Sequence, residues 1–172
     1  SKVVAAAKAS SSQEIVKLAF EFTILTAARS GDTRGAQWSE IKWDEKLWVI
    51  PGPRMKAKKE HVVPLSAAAV AVLETARKLR KGKKGEPIFP GMRDQPLSDM
   101  TLTKVLRTAI AGDWTVHGFR SSFRDWAAEK TSFPREVAET ALAHTNPDKT
   151  EASYRRTNYL DKRRDMMKQW AD

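Results

Sequence analysis

The feature of this sequence that most constrains its fold is a change of pattern between residues 35 and 65. Here isoleucine, valine and tryptophan occur in short runs, and the runs are separated by DEK at 44–46 and PGP at 51–53. Short apolar runs bounded by such turn-forming residues are typical of strands joined by tight turns. We therefore predict three short antiparallel strands. The segment from Met55 to Glu60 is then an exposed basic turn between the last two strands.

Helical patterns lie on both sides of this predicted sheet. One helix is expected from a cap within Ser10–Ser12 to about Arg29, with Gly31 suited to its C-terminal turn. A second is expected from Ser66 along the alanine-rich AAAVAVLETARKLR. Further helices are predicted over 98–111 with Ser98 as cap, 117–129 with Thr115 as cap, 134–143 with Pro134 in the first turn, 151–156 and 160–170. The predicted fold class is α+β and mainly α-helical, with one small three-stranded antiparallel sheet.

The net charge points to a polyanionic partner. Lysine and arginine number 31 against 21 acidic residues, which gives a formal net charge of +10 on 172 residues. Nucleic acid is the first candidate for such a balance, although solvated lysines on helix faces give the same count. A chain of this length suits one domain with a substantial core.

The residue types that are missing exclude several classes of site. The chain has no cysteine, so it forms neither disulfides nor thiolate metal sites, and three scattered histidines are a poor metal set. We therefore expect metal-free chemistry and no cofactor. No apolar run approaches the roughly 20 residues of a membrane span. We accordingly expect no membrane partner and a cytoplasmic location.

The most specific local signal is the pair His117 and Arg120 in HGFR. A spacing of three on a helix places the imidazole and the guanidinium side by side, so both groups can meet one phosphate. The apolar residues of this helix, Phe123 among them, form a stripe of their own. We expect this to leave His117, Arg120 and Arg124 free to face away from the core. Taken alone, such a pair is more often a helix-capping histidine and an arginine in a surface ion pair.

Five segments, taken in their order along the chain, carry a resemblance to a known family. They are LTAARSGDTRGAQWSEIKW, RMKAKKEHVVPLS, HGFRSSFRDWA, ALAHT and EASYRRTNYLDKRRDMMKQWAD. Together they resemble the catalytic domain of tyrosine recombinases, of the integrase type that phages and genomic islands carry. The resemblance implies the tyrosine-recombinase (DNA breaking-rejoining enzyme) fold. It also implies that residues 1–172 are one catalytic domain, the C-terminal part of a longer integrase with N-terminal DNA-binding domains outside this chain.

The resemblance implies residue roles position by position. Arg29 in TAARSGD matches the first active-site arginine, and Asp32 matches an acidic supporting position. Lys56 matches the catalytic lysine, but Lys58 and Lys59 share its turn, and a shift of register would exchange them. The catalytic set is thus Arg29, Lys56, His117, Arg120, His144 and Tyr154. The residues expected to contact DNA are Arg34, Lys58, Lys59 and Arg124.

The nucleophile is chosen between only two tyrosines. Tyr154 follows His144 by ten residues and falls in the family's nucleophile segment, whereas Tyr159 comes five residues later. On one helix the two side chains would point about 140° apart. The sequence EASYRRT surrounds Tyr154 with charged and small residues instead of an apolar stripe. We therefore assign Tyr154.

The implied reaction is DNA strand cleavage and rejoining through a 3′-phosphotyrosyl bond, without metal or ATP. A tyrosine hydroxyl has a pKa of about 10, so its attack on a phosphodiester needs positive charge and a proton acceptor nearby. Arg29 and Arg120 would clamp the phosphate, and Lys56 would protonate the leaving 5′ oxygen. The resemblance implies that His117 is a general acid/base and that His144 donates a hydrogen bond to the phosphate.

The expected partners follow from the same resemblance. They are double-stranded DNA attachment sites, with a monomer when free and a homotetramer on paired sites. An excisionase and DNA-bending host proteins are the accessory partners the family allows. The apolar residues of the C-terminal LDKRRDMMKQWAD either pack on their own domain or dock on a neighbouring protomer.

Three rival functions stay open at this point. A degenerate integrase kept only for DNA binding is disfavoured by the intact catalytic set. A type IB topoisomerase uses related chemistry, but the SYRRT and ALAHT contexts look like integrases. An unrelated hydrolase lacks the serine or carboxylate partner motif that His117 or His144 would need.

Overall fold

The stretch between residues 35 and 65 forms the predicted three-stranded antiparallel sheet in the computed structural model, which describes residues 2–79, 87–144 and 158–172. The strands are β1 (Ile41–Lys42), β2 (Leu47–Ile50) and β3 (His61–Pro64), in the order β1-β2-β3. Trp48 of β2 lies opposite Ile41 on one side and Val63 on the other. All three side chains are buried, so this face of the sheet joins the core.

Helices make up most of the remaining described chain, as predicted. They are α1 (Lys2–Ala9), α2 (Glu14–Thr26), α3 (Ser30–Arg34), α4 (Ala67–Leu79), α5 (Thr101–Ala109), α6 (Gly118–Lys130), α7 (Arg135–Ala141) and α8 (Leu160–Ala171). Single 3-10 turns cover Trp38–Glu40, Gly52–Arg54 and Met92–Asp94. The helix predicted over 151–156 lies outside the described residues. None of the described helices is long and apolar enough to cross a bilayer.

Two apolar clusters hold these elements together. The larger one joins α1, α2, the sheet, α4 and α5 around aromatic side chains such as Phe22, whose ring contacts those of Trp48 and Phe89. The smaller one joins α6, α7 and α8 through Phe123 and Met166, among others. The buried apolar residues of α2 belong to the larger cluster, whereas Ala27, directly after its C-terminal end, belongs to the smaller one, so the two clusters meet there. The candidate site is built at this junction.

The C-terminal helix α8 packs on its own domain. Met166 and Met167 are buried, and the indole N–H of Trp170 donates a hydrogen bond of 2.7 Å to the carbonyl of Ile24 in α2. The Trp170 ring also meets Phe123 edge to face, with ring centroids 5.3 Å apart. Of the two arrangements expected for this segment, the protein adopts the one within its own chain.

The end of α2 differs from the prediction. The helix was expected to reach Arg29 and to end at Gly31, but it ends at Thr26, and Ala27 adopts the left-handed conformation with φ 49°. This backbone costs a non-glycine residue about 1–2 kcal/mol. The cost is offset because the Ala27 side chain is buried and its carbonyl accepts a hydrogen bond from Arg120. Gly31 instead lies inside α3.

Three further boundaries are shifted from their predicted positions. Helix α5 runs from Thr101 to Ala109, so Ser98 lies outside it and Met100 precedes its first residue. Helix α6 begins at Gly118, whose N–H donates to the hydroxyl of Thr115 at 3.0 Å. The predicted capping role of Thr115 is thus confirmed. Pro134 immediately precedes α7 and is not within its first turn.

Candidate active site

Arg120 is the centre of the candidate site. Helix α6 carries it into the protein, where it is 5% exposed, and this corrects the expectation that it faces away from the core. Its Nη1 donates to the carbonyl of Ala27 at 2.5 Å, and its Nη2 donates to the carbonyl of Leu142 at 2.6 Å. One guanidinium therefore fixes the end of α2 to the end of α7.

The charge of Arg120 persists at neutral pH despite this burial. Desolvation and the positive charge of Arg29 lower the pKa of Arg120 to about 10, while the carboxylate of Asp32 acts in the opposite direction. The guanidinium of Arg120 is therefore still protonated at neutral pH. Arg29 follows two residues after Ala27, whose carbonyl Arg120 binds, so the chain places the two arginines in the same region of the protein.

Arg29 is presented by the turn between α2 and α3. Its backbone is extended, with φ −71° and ψ 145°, and its side chain is partly exposed. Arg29 Nη1 lies 3.8 Å from Asp32 Oδ2. Burial raises the pKa of Asp32 above its ordinary value, and the charges of Arg29, Arg54 and Arg120 act against that rise. Asp32 thus lies within ion-pair distance of Arg29, and its supporting role in a reaction stays a prediction.

His144 lies beside Arg120 at the end of α7. Its Nε2 is 3.4 Å from Arg120 Nη2, and its Nδ1 lies 2.7 Å from Glu139 Oε2. Ala143 adopts a left-handed φ of 50°, and the N–H of His144 closes the turn on the carbonyl of Glu139 at 3.0 Å. This turn directs the imidazole back towards its own helix and towards Arg120.

Glu139 holds the imidazole of His144 from behind. Burial alone would raise the pKa of Glu139, but the hydrogen bond with His144 and the charges of Arg124 and Arg135 outweigh it and hold the pKa below its ordinary value. The ionised carboxylate fixes a proton on Nδ1, which leaves Nε2 turned towards Arg120. Sequence reasoning missed Glu139. The signal available was an acid five residues before the histidine, across the end of a predicted helix.

His117 is the exposed residue of the HGFR segment. It directly precedes α6, three residues before Arg120, and its side chain is exposed. Among the described residues, no hydrogen bond to its imidazole is present, so it can approach a ligand without losing an internal contact. Its assignment as a catalytic group stays a prediction.

Lys56, Lys58 and Lys59 lie on the exposed turn between β2 and β3. Lys58 adopts a left-handed φ of 55°, and its Nζ is 3.4 Å from the carbonyl of Pro53. Lys56 directly follows Met55, which is buried. The structure thus brings Arg29, Arg120 and His144 together, whereas no hydrogen bond links the three lysines to that group within the part of the chain that is described.

Two of the arginines expected to contact DNA already have partners within the protein. Arg34 forms an ion pair with Asp99 and donates to the carbonyl of Leu97 at 2.8 Å. Arg124 Nε lies 2.9 Å from Glu139 Oε1, with about half of its side chain exposed. Their contacts with DNA stay predictions.

Of the two tyrosines, only Tyr159 falls within the described residues. It precedes α8 with a left-handed φ of 52° and packs, partly buried, against the cluster of α6, α7 and α8. Tyr154, the assigned nucleophile, lies outside the described residues.

Two side chains that sequence reasoning missed, the partly buried His61 and the buried Arg163, tie β3 to the helices behind the site. His61 Nε2 donates to the carbonyl of Ala141 at 3.2 Å, and Arg163 of α8 donates to the carbonyl of Val62 at 2.7 Å. Burial and the charge of Arg163 lower the pKa of His61 to about 4, so its ring is neutral at pH 7. Both bonds span 80 residues or more. Local sequence patterns carry no signal for them.

Across residues 2–79, 87–144 and 158–172, no three histidine, aspartate or glutamate side chains are grouped so as to hold a metal ion.

Comparison with known proteins defines the class of this fold. The crystal structure of XerA recombinase matches with a TM-score of 0.68 at 16% identity, over 84% of this chain and 52% of that one. A lambda integrase tetramer bound to a Holliday junction matches with a TM-score of 0.59 at 21% identity, over 92% of this chain and 46% of that one. The fold is therefore that of the tyrosine-recombinase catalytic domain.

Sequence comparison gives the family. The phage integrase family model matches residues 1–160. The prophage integrase IntA of Escherichia coli (strain K12) is 38% identical over 156 residues, which are 89% of this chain and 37% of IntA. The chain belongs to the phage integrase family, and it spans less than half the length of this curated relative.

Proposed function

We propose that this chain carries out site-specific DNA recombination, the integration and excision of a mobile element, by cleaving and rejoining strands through Tyr154. The observation that carries the proposal is the cluster around Arg120: His144 Nε2 lies 3.4 Å from its Nη2, and Arg29 follows two residues after Ala27, whose carbonyl Arg120 binds. Like charges held together in a partly buried place are unfavourable on their own, and a phosphate relieves their repulsion. Arginine forks bond two phosphate oxygens at once and stay charged throughout the reaction.

The proposed reaction is a phosphoryl transfer to the tyrosyl oxygen. The phenol oxygen of Tyr154 attacks phosphorus, its proton passes to His117, and the bond to the 5′ oxygen breaks. Negative charge accumulates on the two non-bridging oxygens, where Arg29, Arg120 and His144 stabilise it more than they stabilise the substrate. Lys56 supplies the proton for the leaving 5′ oxygen. Attack by a new 5′ hydroxyl reverses these steps and restores the strand.

We assign the role of general acid to Lys56 because the residue before it in the chain is anchored in the protein. Met55 is buried and anchors this side of the turn, whereas Lys58 and Lys59 lie further along the exposed segment. A proton donor must be held close to the atom that it protonates in the transition state.

The phosphate charge is carried by protein side chains, so we propose that neither a metal ion nor ATP takes part. Adduct formation in EDTA without nucleotide tests this point.

The proposed partners are double-stranded attachment sites and further copies of the chain. The net charge of +10 favours binding to the phosphate backbone, which should weaken steeply as salt rises. The lambda integrase of similar fold is a tetramer on a Holliday junction. We propose the same assembly here on paired sites, with residues 1–172 acting as the catalytic domain and other domains sharing the recognition of sequence.

The proposal is tested with a nicked suicide duplex that carries the junction sequence of the element encoding the gene. The wild-type chain should form a covalent adduct that survives denaturing electrophoresis, and so should Tyr159→Phe. Tyr154→Phe should form none. An adduct in Tyr154→Phe together with its loss in Tyr159→Phe would overturn the assignment. DNA binding without any adduct would indicate a binding-only remnant, and relaxation of a plasmid without strand exchange would indicate a topoisomerase.

A further inference from the structure

We propose that Arg54 is a positioning residue that sets Lys56 relative to Arg29. The inference rests on the proposed function, because it concerns how two of its catalytic groups are held together. Arg54 directly precedes the exposed turn of residues 55–60 that carries Lys56, Lys58 and Lys59, here called the lysine turn. Its guanidinium reaches across to the segment that carries Arg29. Nothing in the reaction requires Arg54 to touch DNA.

Glu40 anchors one end of this arrangement. Its carboxylate is buried and forms an ion pair with Arg54. The same carboxylate accepts the indole N–H of Trp48 at 2.8 Å and the backbone N–H of Gln37 at 3.3 Å. The Glu40 carboxylate is thus held by three donors: the backbone of Gln37, the side chain of Trp48 and the side chain of Arg54. It cannot move independently of any of them.

Asp32 lies at the other end of this arrangement, where Arg54 meets the segment that carries Arg29. Arg54 Nη2 donates to the backbone carbonyl of Asp32 at 2.5 Å, and the carboxylate of Asp32 lies 3.8 Å from Arg29. A Cβ atom at Gly35 would come within 2.9 Å of Arg54 Nη2, so the guanidinium lies close against the end of α3. Through this bond Arg54 fixes the backbone turn that presents Arg29.

Backbone hydrogen bonds from Arg54 and from the next residue fix the start of the lysine turn. The N–H of Arg54 bonds to the carbonyl of Pro51 at 3.0 Å, and that of Met55 bonds to Gly52 at 2.9 Å. A Cβ at Gly52 would come within 2.9 Å of the carbonyl oxygen of Lys58, so the two sides of the turn are packed against each other. Lys56 is two residues beyond Arg54. Movement of the Arg54 side chain is therefore passed directly to Lys56.

The two groups joined in this way act on different oxygens of one phosphate. Arg29 contacts non-bridging oxygens, whereas Lys56 must reach the leaving oxygen. Proton transfer is sensitive to displacements of about 1 Å. Loss of the Arg54 bridge should therefore impair protonation of the leaving group more than it impairs DNA binding.

A leaving group that needs no proton separates this role from a general structural one. The test compares Arg54→Gln and Arg54→Lys with Arg77→Gln, an exposed arginine on α4 outside the site. Each variant is given the ordinary suicide duplex and one with sulfur in place of the 5′ bridging oxygen, because a departing thiolate does not require Lys56. We expect Arg54→Gln to cleave the ordinary duplex at least about tenfold more slowly, with DNA affinity nearly unchanged, and the sulfur duplex to recover most of that loss.

Arg54→Lys should behave similarly, since one ammonium cannot bond Glu40 and the Asp32 carbonyl in the same way. Equal losses on both duplexes, or a rate on the ordinary duplex equal to that of Arg77→Gln, would overturn the inference.

Amide hydrogen exchange of DNA-free protein keeps the inference separate from the proposed function. Arg54→Gln should accelerate exchange in both the lysine turn and the Arg29–Gly35 segment, while Arg77→Gln should not. Unchanged exchange in either segment would overturn the inference even if the wild-type chain cleaves no DNA. Failure of the wild-type chain to form any adduct would count against the proposed function alone.

Discussion

Arg120 and His144 lie with Nη2 and Nε2 3.4 Å apart, and each is held from behind by a different part of the protein. The carbonyls of Ala27 and Leu142 fix the guanidinium, and the carboxylate of Glu139 fixes the imidazole. A guanidinium and an imidazole set in advance towards one place need little reorganisation when negative charge develops there. Their supporting groups should consequently matter to catalysis without touching DNA.

Glu139→Gln should slow strand cleavage without preventing DNA binding. Glutamine keeps the shape of the side chain but loses the charge that orients the His144 ring. Charge-assisted hydrogen bonds contribute about 1.5–3 kcal/mol, so we expect about a tenfold or larger fall in the single-turnover cleavage rate. Arg135→Gln is the matched control, because Arg135 is mostly exposed and lies 3.9 Å from the same carboxylate. Equal rates in the two variants would contradict this role for Glu139.

Arg120→Lys should lower stability as well as cleavage. A lysine ammonium cannot reproduce the two separate bonds to Ala27 and Leu142, so at least one buried carbonyl loses its donor. We expect the free energy of unfolding of the DNA-free chain to fall by about 1–3 kcal/mol, measured by urea denaturation. Cleavage should fall by at least about a hundredfold. Arg107→Lys, on the exposed side of α5, is the control. A stability equal to that of the control would mean that these two bonds contribute little.

Much of this fold follows from local patterns. The turns at 44–46 and 51–53 separate runs of β-branched and aromatic residues, so β1, β2 and β3 were predictable in number and orientation. The spacing of His117 and Arg120 correctly indicated the start of α6, which His117 directly precedes and whose first turn contains Arg120. These features depend on residues close together in the chain, which is why sequence reasoning found them.

The remainder of the site depends on contacts between distant segments. Arg29 leaves the helix because Ala27 turns left-handed, and that turn is stabilised by Arg120, 93 residues away. The burial of Arg120 was missed for the same reason, since its polar side chain enters the core to bond two helix ends. No local pattern indicates that Arg163 meets Val62 across 101 residues. In each of these cases the conformation depends on tertiary contacts and not on the local sequence.

The partly buried ring of His61 makes stability depend on pH. Its pKa is about 4 in the folded protein and about 6.5 in an unfolded chain. Between these values the unfolded state binds the additional proton, so stability contributed by the neutral ring is fully present above pH 6.5 and is lost as pH falls towards 4.

The expected loss is up to about 3 kcal/mol. Its measurement is urea unfolding of the wild-type chain and of His61→Gln between pH 7 and 4. Glutamine can still donate to the Ala141 carbonyl but does not titrate, so subtraction of the two curves removes the contribution of other groups. A difference between the two proteins that does not change with pH would show that His61 is not the group responsible.

Trp170→Phe tests whether α8 belongs to its own domain in solution. Phenylalanine keeps an aromatic ring against Phe123 but removes the donor to the Ile24 carbonyl. That carbonyl also accepts the N–H of Ala27 at 3.1 Å, so it is not left unpaired. We therefore expect the free energy of unfolding to fall by only about 1 kcal/mol, with faster proteolysis in residues 158–172.

Without DNA, both proteins should run as monomers in size-exclusion chromatography at every concentration. If α8 instead docks on a neighbouring chain, the wild-type protein should form a larger species that the substitution dissociates.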